Sequence, residues 1–342
     1  MEAPTRRDDR GMYTRWDALA ERVLAGDATT REDAHALMRA PDHEILALLA
    51  AAYRVRHHHY GTTVHLHLLL NAKSGLCPED CHYCSQSRLS TAPIPKYPIQ
   101  SRATILQGAD RAADVHAATY CIVASGRGPT PRELAAVADA VRAIKDRHPH
   151  LKVCCCLGLL KDGQADILKQ AGVDRYNHNL NTSAVHTPHV VTTHTYADRL
   201  RTIERVKQAG LSPCSGAIFG MGESDDDVVD TAFALRAIDA DSIPVNFLHP
   251  IPGTPFAALR ALTPPHCLKI LALMRLVNPA KEIRIAGGRE HNLRSLQPLG
   301  LYAANSIFIG DYLTTGGQPP AADLAMLVDL GFTVEAHPAL GG

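Results

Sequence analysis

The chain lacks a surplus of either charge. Its 35 lysines and arginines are offset by 35 aspartates and glutamates, so no general field draws nucleic acid or anionic lipid. Long apolar runs are missing as well, and none approaches the ~20 residues a helix needs to cross a bilayer. The first 30 residues alternate charged and apolar positions without the apolar centre of an export signal. A cytoplasmic protein is the expectation. Low-complexity tracts, a long linker and repeated sequence are also absent. What is present is 46% apolar and 20% charged residues in a chain of 342, a globular composition with material for a large core. Cysteines stand at 77, 81, 84, 121, 154, 155, 156, 214 and 267. Their odd number and irregular spacing, without an export signal, point to metal or redox use rather than a disulfide framework.

Residues 1–61 read as a helical extension. Trp16, Leu19, Val23 and Leu24 share one helical face, and Ile45, Leu46, Leu48 and Leu49 form a second apolar stretch. Three adjacent histidines cannot all point one way, so His57, His58 and His59 read as a frayed, solvated helix end. From residue 62 the pattern changes to short apolar runs, each followed by a helical stretch. Eight strands are expected: Val64–Leu70, Tyr120–Ala124, Leu151–Leu157, Arg175–Leu180, Ser212–Phe219, Ile243–Leu248, Ile283–Ala286 and Ser306–Ile309. Thr130-Pro131-Arg132-Glu133 is a capping box with proline at the first helical position, Thr195 and Asp198 repeat the device, and Ser224 precedes three aspartates. Repeated strand–helix units in this number predict an α/β fold, a (β/α)8 TIM-type barrel over residues 62–318. Residues 319–342 supply a C-terminal helix and tail. Active residues of such a barrel sit at the C-terminal strand ends and in the loops that follow.

The first expected strand runs into Cys77-Pro78-Glu79-Asp80-Cys81-His82-Tyr83-Cys84, the pattern C-x3-C-x2-C. A loop of this spacing folds around one centre and presents three thiolates to it. A [4Fe–4S] cube normally takes four protein thiolates, so three leave one iron open to a substrate or cofactor. Structural zinc completed by a fourth cysteine or by His82, and ferredoxin-like electron transfer, are the other chemistries of such a spacing. A closed zinc site has little reason to occupy the mouth of a barrel. The motif after the first barrel strand resembles the radical S-adenosylmethionine superfamily. That resemblance implies that Cys77, Cys81 and Cys84 hold a [4Fe–4S] cluster whose fourth iron is chelated by the methionine end of S-adenosylmethionine. Electron transfer into the sulfonium would release a 5′-deoxyadenosyl radical, and Tyr83 would lie against the adenine.

Cys121, Cys154 and Cys214 fall in the second, third and fifth expected strands. Inward side chains of several strands converge on a small volume, so three thiolates there could hold a second cluster below the first. Buried cysteines also pack as small hydrophobes. Strand parity puts Cys154 and Cys156 on one face and Cys155 on the other; spacing does not choose between 154 and 156. Cys155 and Cys267 are expected outside the barrel interior. Several segments together resemble the biotin synthase family over residues 65 to 315: SGLCPEDCHYCSQS (74–87), CCCLG (154–158), RYNHNLNTS (175–183), CSGAIFGMGE (214–223), IPVNFL (243–248), IRIAGGRE (283–290) and AANSIFIGDYLTT (303–315). The resemblance implies a [2Fe–2S] cluster on Cys121, Cys154, Cys214 and Arg284. A protonated guanidinium has no free lone pair. Chemistry alone would make Arg284 a hydrogen-bond donor behind the cluster or a salt-bridge partner, and only the resemblance makes it a ligand.

Asn177, Asn179 and Asn181 alternate along the fourth expected strand and so face one side. Amides both donate and accept, which suits a neutral urea-type ring and ribose hydroxyls; a strand end entering a hydrogen-bonded turn is the plainer reading. Gly216, Gly220 and Gly222 are expected to let the backbone approach a ligand closely, and Gly287-Gly288 to do the same. By resemblance, Asn177, Asn179 and Asn246 approach the ureido ring of dethiobiotin, Asn179 and Asn181 the nucleoside, and Ile218 the adenine. Many members of the family carry aspartate where this chain has Asn181. The implied reaction is radical insertion of sulfur into two unactivated C–H bonds of dethiobiotin to give biotin. The inner cluster would be the sulfur donor, and no side chain acts as acid or base. The implied partners are a flavodoxin- or ferredoxin-type electron donor and a second copy in a homodimer. Another radical enzyme of this barrel class with an auxiliary cluster, or a non-enzymatic zinc or electron-transfer protein, are the competing readings.

Overall fold

A computed structural model of the chain describes residues 10–335. The first nine residues of the expected helical extension, and the tail from 336 onward, lie outside the described residues.

The strands are β1 (Thr63–Lys73), β2 (Thr119–Ala124), β3 (Lys152–Cys156), β4 (Arg175–Asn177), β5 (Ser212–Cys214), β6 (Ala217–Phe219), β7 (Ser242–Phe247), β8 (Glu282–Ile285), β9 (Ser306–Phe308) and β10 (Thr333–Val334). All pairings between them are parallel. Contact of β1 with β9 closes the sheet into a barrel, in which β5 and β6 together form one stave. The barrel is therefore the expected (β/α)8 type. Outside it, β10 adds to the free start of β1 through Thr63 and Val64.

Two expected strands are interrupted, each for its own reason. The fifth breaks at Ser215-Gly216, opposite Pro244 of β7, which has no N–H to give the ladder. Gly216 then turns its N–H to Asn179 Oδ1 at 3.0 Å. The fourth stops at Asn177 because asparagine side chains take over ladder contacts: Asn177 Nδ2 donates to the Cys214 carbonyl at 3.2 Å.

The helices end where their capping residues say. Thr130 and Glu133, Thr195 and Asp198, and Ser224 and Asp227 each form reciprocal boxes. The helix Ile45–Tyr60 packs on Arg10–Leu24 and on Pro264–Val277, and Trp16 is buried with its ring N–H on Glu44 at 2.8 Å. His57, His58 and His59 are exposed in its last turn, as expected, but the helix is intact to Tyr60 and ends at Gly61 rather than fraying. Cys155 and Cys267 are buried in the shell between strands and helices, outside the barrel interior. Among the described residues no helix is long and apolar enough to cross a membrane.

Candidate active site

The barrel floor is ionic where such barrels are usually filled by branched apolar side chains. Glu282 on β8 receives Ser242 Oγ at 2.9 Å and Arg284 Nη2 at 2.5 Å on Oε1, and Arg175 Nη1 at 2.8 Å on Oε2. Burial opposes ionisation of Glu282, yet His67, Arg284 and Arg175 hold it well below the usual carboxylate range. His67 itself is driven down to about 3, by burial first and Arg284 second, so the two arginines are the effective cations. Arg284 also donates through Nε to Ser306 Oγ at 3.2 Å and through Nη2 to Ser242 Oγ at 2.7 Å. Its remaining nitrogen, Nη1, lies 3.9 Å from Cys214 Sγ. Burial disfavours the guanidinium charge, but Glu282 outweighs it and the group stays protonated.

On this floor sit three thiols. The β2/β3 register sets Cys121 opposite Cys154, and β4/β5 sets Cys214 opposite Asn177. Cys121, Cys154 and Cys214 form one buried cluster walled by Leu69, Val123 and Phe308. Cys154 shares hydrogen bonds with both others; this contact, then burial, holds Cys154 and Cys214 well above the ordinary thiol value. Three packed thiols of this kind become thiolates only against a strong cation, which an iron–sulfur core provides. The strand-parity ambiguity resolves here, since Cys154 joins the cluster and Cys156 lines the cavity two residues further along. The residues present thus fit a multi-iron group at the three cysteines, with Arg284 Nη1 facing it.

The loop after β1 carries the other set. Leu76 adopts a left-handed φ of 55° and turns the chain into Cys77; the Cys84 N–H then bonds the Cys81 carbonyl at 3.2 Å. Burial raises all three thiols, Cys81 to about 12 and Cys84 to about 11, and each feels its neighbours. The segment 192–194 anchors the turn. Asp80 takes the Thr192 N–H at 3.0 Å, and Glu79 takes Thr193 Oγ1 at 2.6 Å and His194 Nδ1. Arg199 bonds His194 Nε2 at 2.6 Å and the Asn179 carbonyl at 2.7 Å, and its buried Nε has no protein partner. This turn fits a cluster bound on three cysteines.

One cavity of about 350 Å³ joins the two sets: Tyr83 and Cys84 line it, and so do Cys121, Cys154, Cys214 and Arg284. The amides line its wall in a graded series. Asn177 Nδ2 lies 3.3 Å from Cys214 Sγ and 2.9 Å from Asn179 Oδ1, whereas Asn181 Nδ2 donates to Tyr83 Oη at 2.7 Å. Asn181 reaches this place through a φ of 71°. Asn246 is fixed at both ends, accepting from the Gly287 N–H and donating to the Ala217 carbonyl, each at 3.0 Å. Ile218 packs with Tyr83, Met221 and Leu248. Every residue expected at the site therefore lies on this cavity or in the turn at its edge.

The glycines also serve packing. A Cβ at Gly216 would sit 1.9 Å from the Pro244 carbonyl oxygen, one at Gly288 equally close to that of Phe247, and one at Gly220 would strike Leu262. Gly287 and Gly288 line the cavity besides. Sequence reading passed over Glu282, His67 and Arg199. The first two had a signal in parity, because Glu282 shares the face of Arg284 and His67 that of Leu69.

Comparison with known proteins follows the same division of the chain. Residues 73–235 match the family model of the radical SAM superfamily, and residues 244–333 match the biotin and thiamin synthesis associated domain. A biotin synthase of Geobacillus kaustophilus is 61% identical over 324 residues, covering 95% of this chain and 97% of that one. A biotin synthase of Bacillus subtilis is 59% identical over 321 residues, covering 94% and 96%. Among solved structures, methylornithine synthase superposes with a TM-score of 0.82 at 18% identity, over 93% of this chain and 97% of that one. The FeFe-hydrogenase maturase of Carboxydothermus hydrogenoformans gives 0.79 at 17%, over 97% and 81%. At those identities the two structures speak to the fold alone.

Proposed function

The chain belongs to the biotin synthase family, and from that premise we propose that its two cysteine sets divide the work of sulfur insertion across one cavity. It is a radical S-adenosylmethionine sulfurtransferase that converts dethiobiotin to biotin, using a [4Fe–4S] cluster, S-adenosylmethionine and a [2Fe–2S] cluster as sulfur source. When bound, these groups supply the radical that breaks two unactivated C–H bonds and the sulfide that replaces them. Residue roles are our assignment. Cys77, Cys81 and Cys84 hold the outer cluster, and Cys121, Cys154 and Cys214 the inner one, with Arg284 against it. The observation that carries this reading is that both thiol sets border a single cavity.

The chain's own part is to bind, orient and exclude water. Asn177 spends its Nδ2 on protein and keeps Oδ1 free; Asn179 spends Oδ1 on the Gly216 N–H and keeps Nδ2 free. One free acceptor beside one free donor matches the N–H and C=O of a ureido ring. Tyr83, Ile218 and Asn181 form the nucleoside end, apolar on two sides with an amide at the edge. Residues 62–318 are the catalytic barrel in this reading, between the helical extension (1–61) and the C-terminal segment (319–342). A flavodoxin- or ferredoxin-type protein is the electron donor, and the working form is a homodimer in the cytoplasm.

Anaerobic reconstitution with iron and sulfide, followed by Mössbauer spectroscopy and acid-labile sulfide analysis before and after turnover, tests the reading. Two cluster types and loss of inner sulfide with product are expected. Cys121→Ala should keep the outer cluster and S-adenosylmethionine binding while losing the inner cluster and biotin formation. Full biotin formation by that variant, with the inner cluster absent, would remove the sulfur-donor assignment.

A further inference from the structure

We infer that Glu282 is the positioning residue of the inner site: its carboxylate, braced by Arg175 and Ser242, fixes the Arg284 guanidinium so that only Nη1 faces the cysteines. The inference rests on the reading of Cys121, Cys154 and Cys214 as the inner-cluster set.

Three of the five guanidinium N–H bonds are taken up by the floor. Nη2 bonds Glu282 Oε1 at 2.5 Å and Ser242 Oγ at 2.7 Å, and Nε bonds Ser306 Oγ at 3.2 Å. A planar fork held at two of its three nitrogens has no rotational freedom left. The third nitrogen is the one 3.9 Å from Cys214 Sγ. Glu282 is in turn over-determined. Arg175 Nη1 bonds its other oxygen at 2.8 Å, and Ser242 donates to the oxygen that Arg284 uses. Ser242 thus bridges the two charges. His67 Nε2 stands 3.0 Å from the same oxygen without hydrogen-bond alignment, its ring edge-on to Phe308. Glu282, Arg284, Ser242, Ser306 and His67 are buried, the last three wholly so, while Arg175 is half-buried. An ion pair kept out of water is costly unless its geometry is complete, and this one is complete on every side but the one toward the thiols. Held from below at Nη2 and Nε, the guanidinium presents Nη1 alone to the cysteines.

The test compares reconstituted wild type with Glu282→Gln, Arg284→Met and the double variant. It reads the inner-cluster Mössbauer quadrupole splitting, the visible absorption and the rate of iron loss to a chelator, with thermal melting as the check on folding. Expected for E282Q are an unchanged outer-cluster signal and S-adenosylmethionine affinity, an inner-cluster signal moved toward that of R284M, and inner iron lost at least tenfold faster. On the R284M background, E282Q should change that rate less than twofold, because Glu282 acts through Arg284. An E282Q inner site that matches wild type in spectrum and iron loss, or fully additive effects in the double variant, overturns the inference. If E282Q does not fold, Ser242→Ala is read by the same spectra: a shift toward R284M supports the inference, and identity with wild type overturns it. A wild-type protein that takes up no second cluster would instead defeat the underlying reading, which separates the two failures.

Discussion

Asn179 shows how much one amide can decide. Its Oδ1 is committed to the Gly216 N–H, so only a donor remains to meet a ligand. In Asn179→Asp the oxygen contact survives while the free donor becomes a second acceptor, facing a ureido carbonyl it can no longer satisfy. An unmade hydrogen bond of this kind costs about 1–3 kcal/mol. Dethiobiotin binding should weaken roughly 10- to 100-fold at that cost, with the spectra of both clusters unchanged, as equilibrium dialysis and visible absorption would show. Asn181 turns its amide the other way and donates to Tyr83 Oη, a contact that an ionised carboxylate could make only by accepting.

Among the elements, the segmentation of the barrel was legible because most of its strands announced themselves by an apolar run and three of its helices by their caps, whereas the outlying β10 went unread. Thr130, Thr195 and Ser224 begin helices where the sequence placed them. The box at Thr195 gives a signed expectation. Its backbone N–H and hydroxyl hold Asp198 down at about 2, against 3.8 for a free side chain. The depressed value means the contribution is complete above the unfolded pKa and drains away as pH falls from about 4 toward 2. Thr195→Ala should lower stability by about 1 kcal/mol at neutral pH, and by progressively less in acid, as urea unfolding at several pH values would record. The broken fifth strand was not legible, since its cause is a proline on a neighbouring strand nearly thirty residues on, and no local pattern carries that. The same neighbour explains Gly216. Gly216→Ala must displace the Pro244 carbonyl, and overpacking of this sort costs about 1–3 kcal/mol; an unshifted melting temperature would contradict the packing role. The ionic floor was half legible: alternation on β8 exposes Glu282 once Arg284 is known to face inward, but its bond to Arg175 crosses the barrel and exists only when the barrel closes.

For the molecule as a whole, the C-terminal segment is what keeps the mouth in shape. Asp323, in the helix Pro320–Asp329, holds Arg289 with both oxygens at 2.8 Å, and Arg289 also reaches Tyr312 Oη at 3.2 Å. Tyr312, Thr314 and Thr315 line the cavity. Asp323→Ala takes from buried Arg289 its two-oxygen partner and leaves Glu290, at 3.3 Å, as its remaining carboxylate; denaturant midpoints should fall, by less than the about 3–5 kcal/mol that an unpaired buried charge costs, and dethiobiotin affinity with them, because the lining loop loses its clasp. The floor has a consequence of its own. Arg175, Glu282 and Arg284 tie the lower end of the barrel together, and the cavity above reaches the inner thiols. If the inner cluster is the sulfur source, iron and sulfur restoring it through this cavity would take the way of both reactants, past Tyr83 and the asparagines, so that repair and turnover would compete for one doorway.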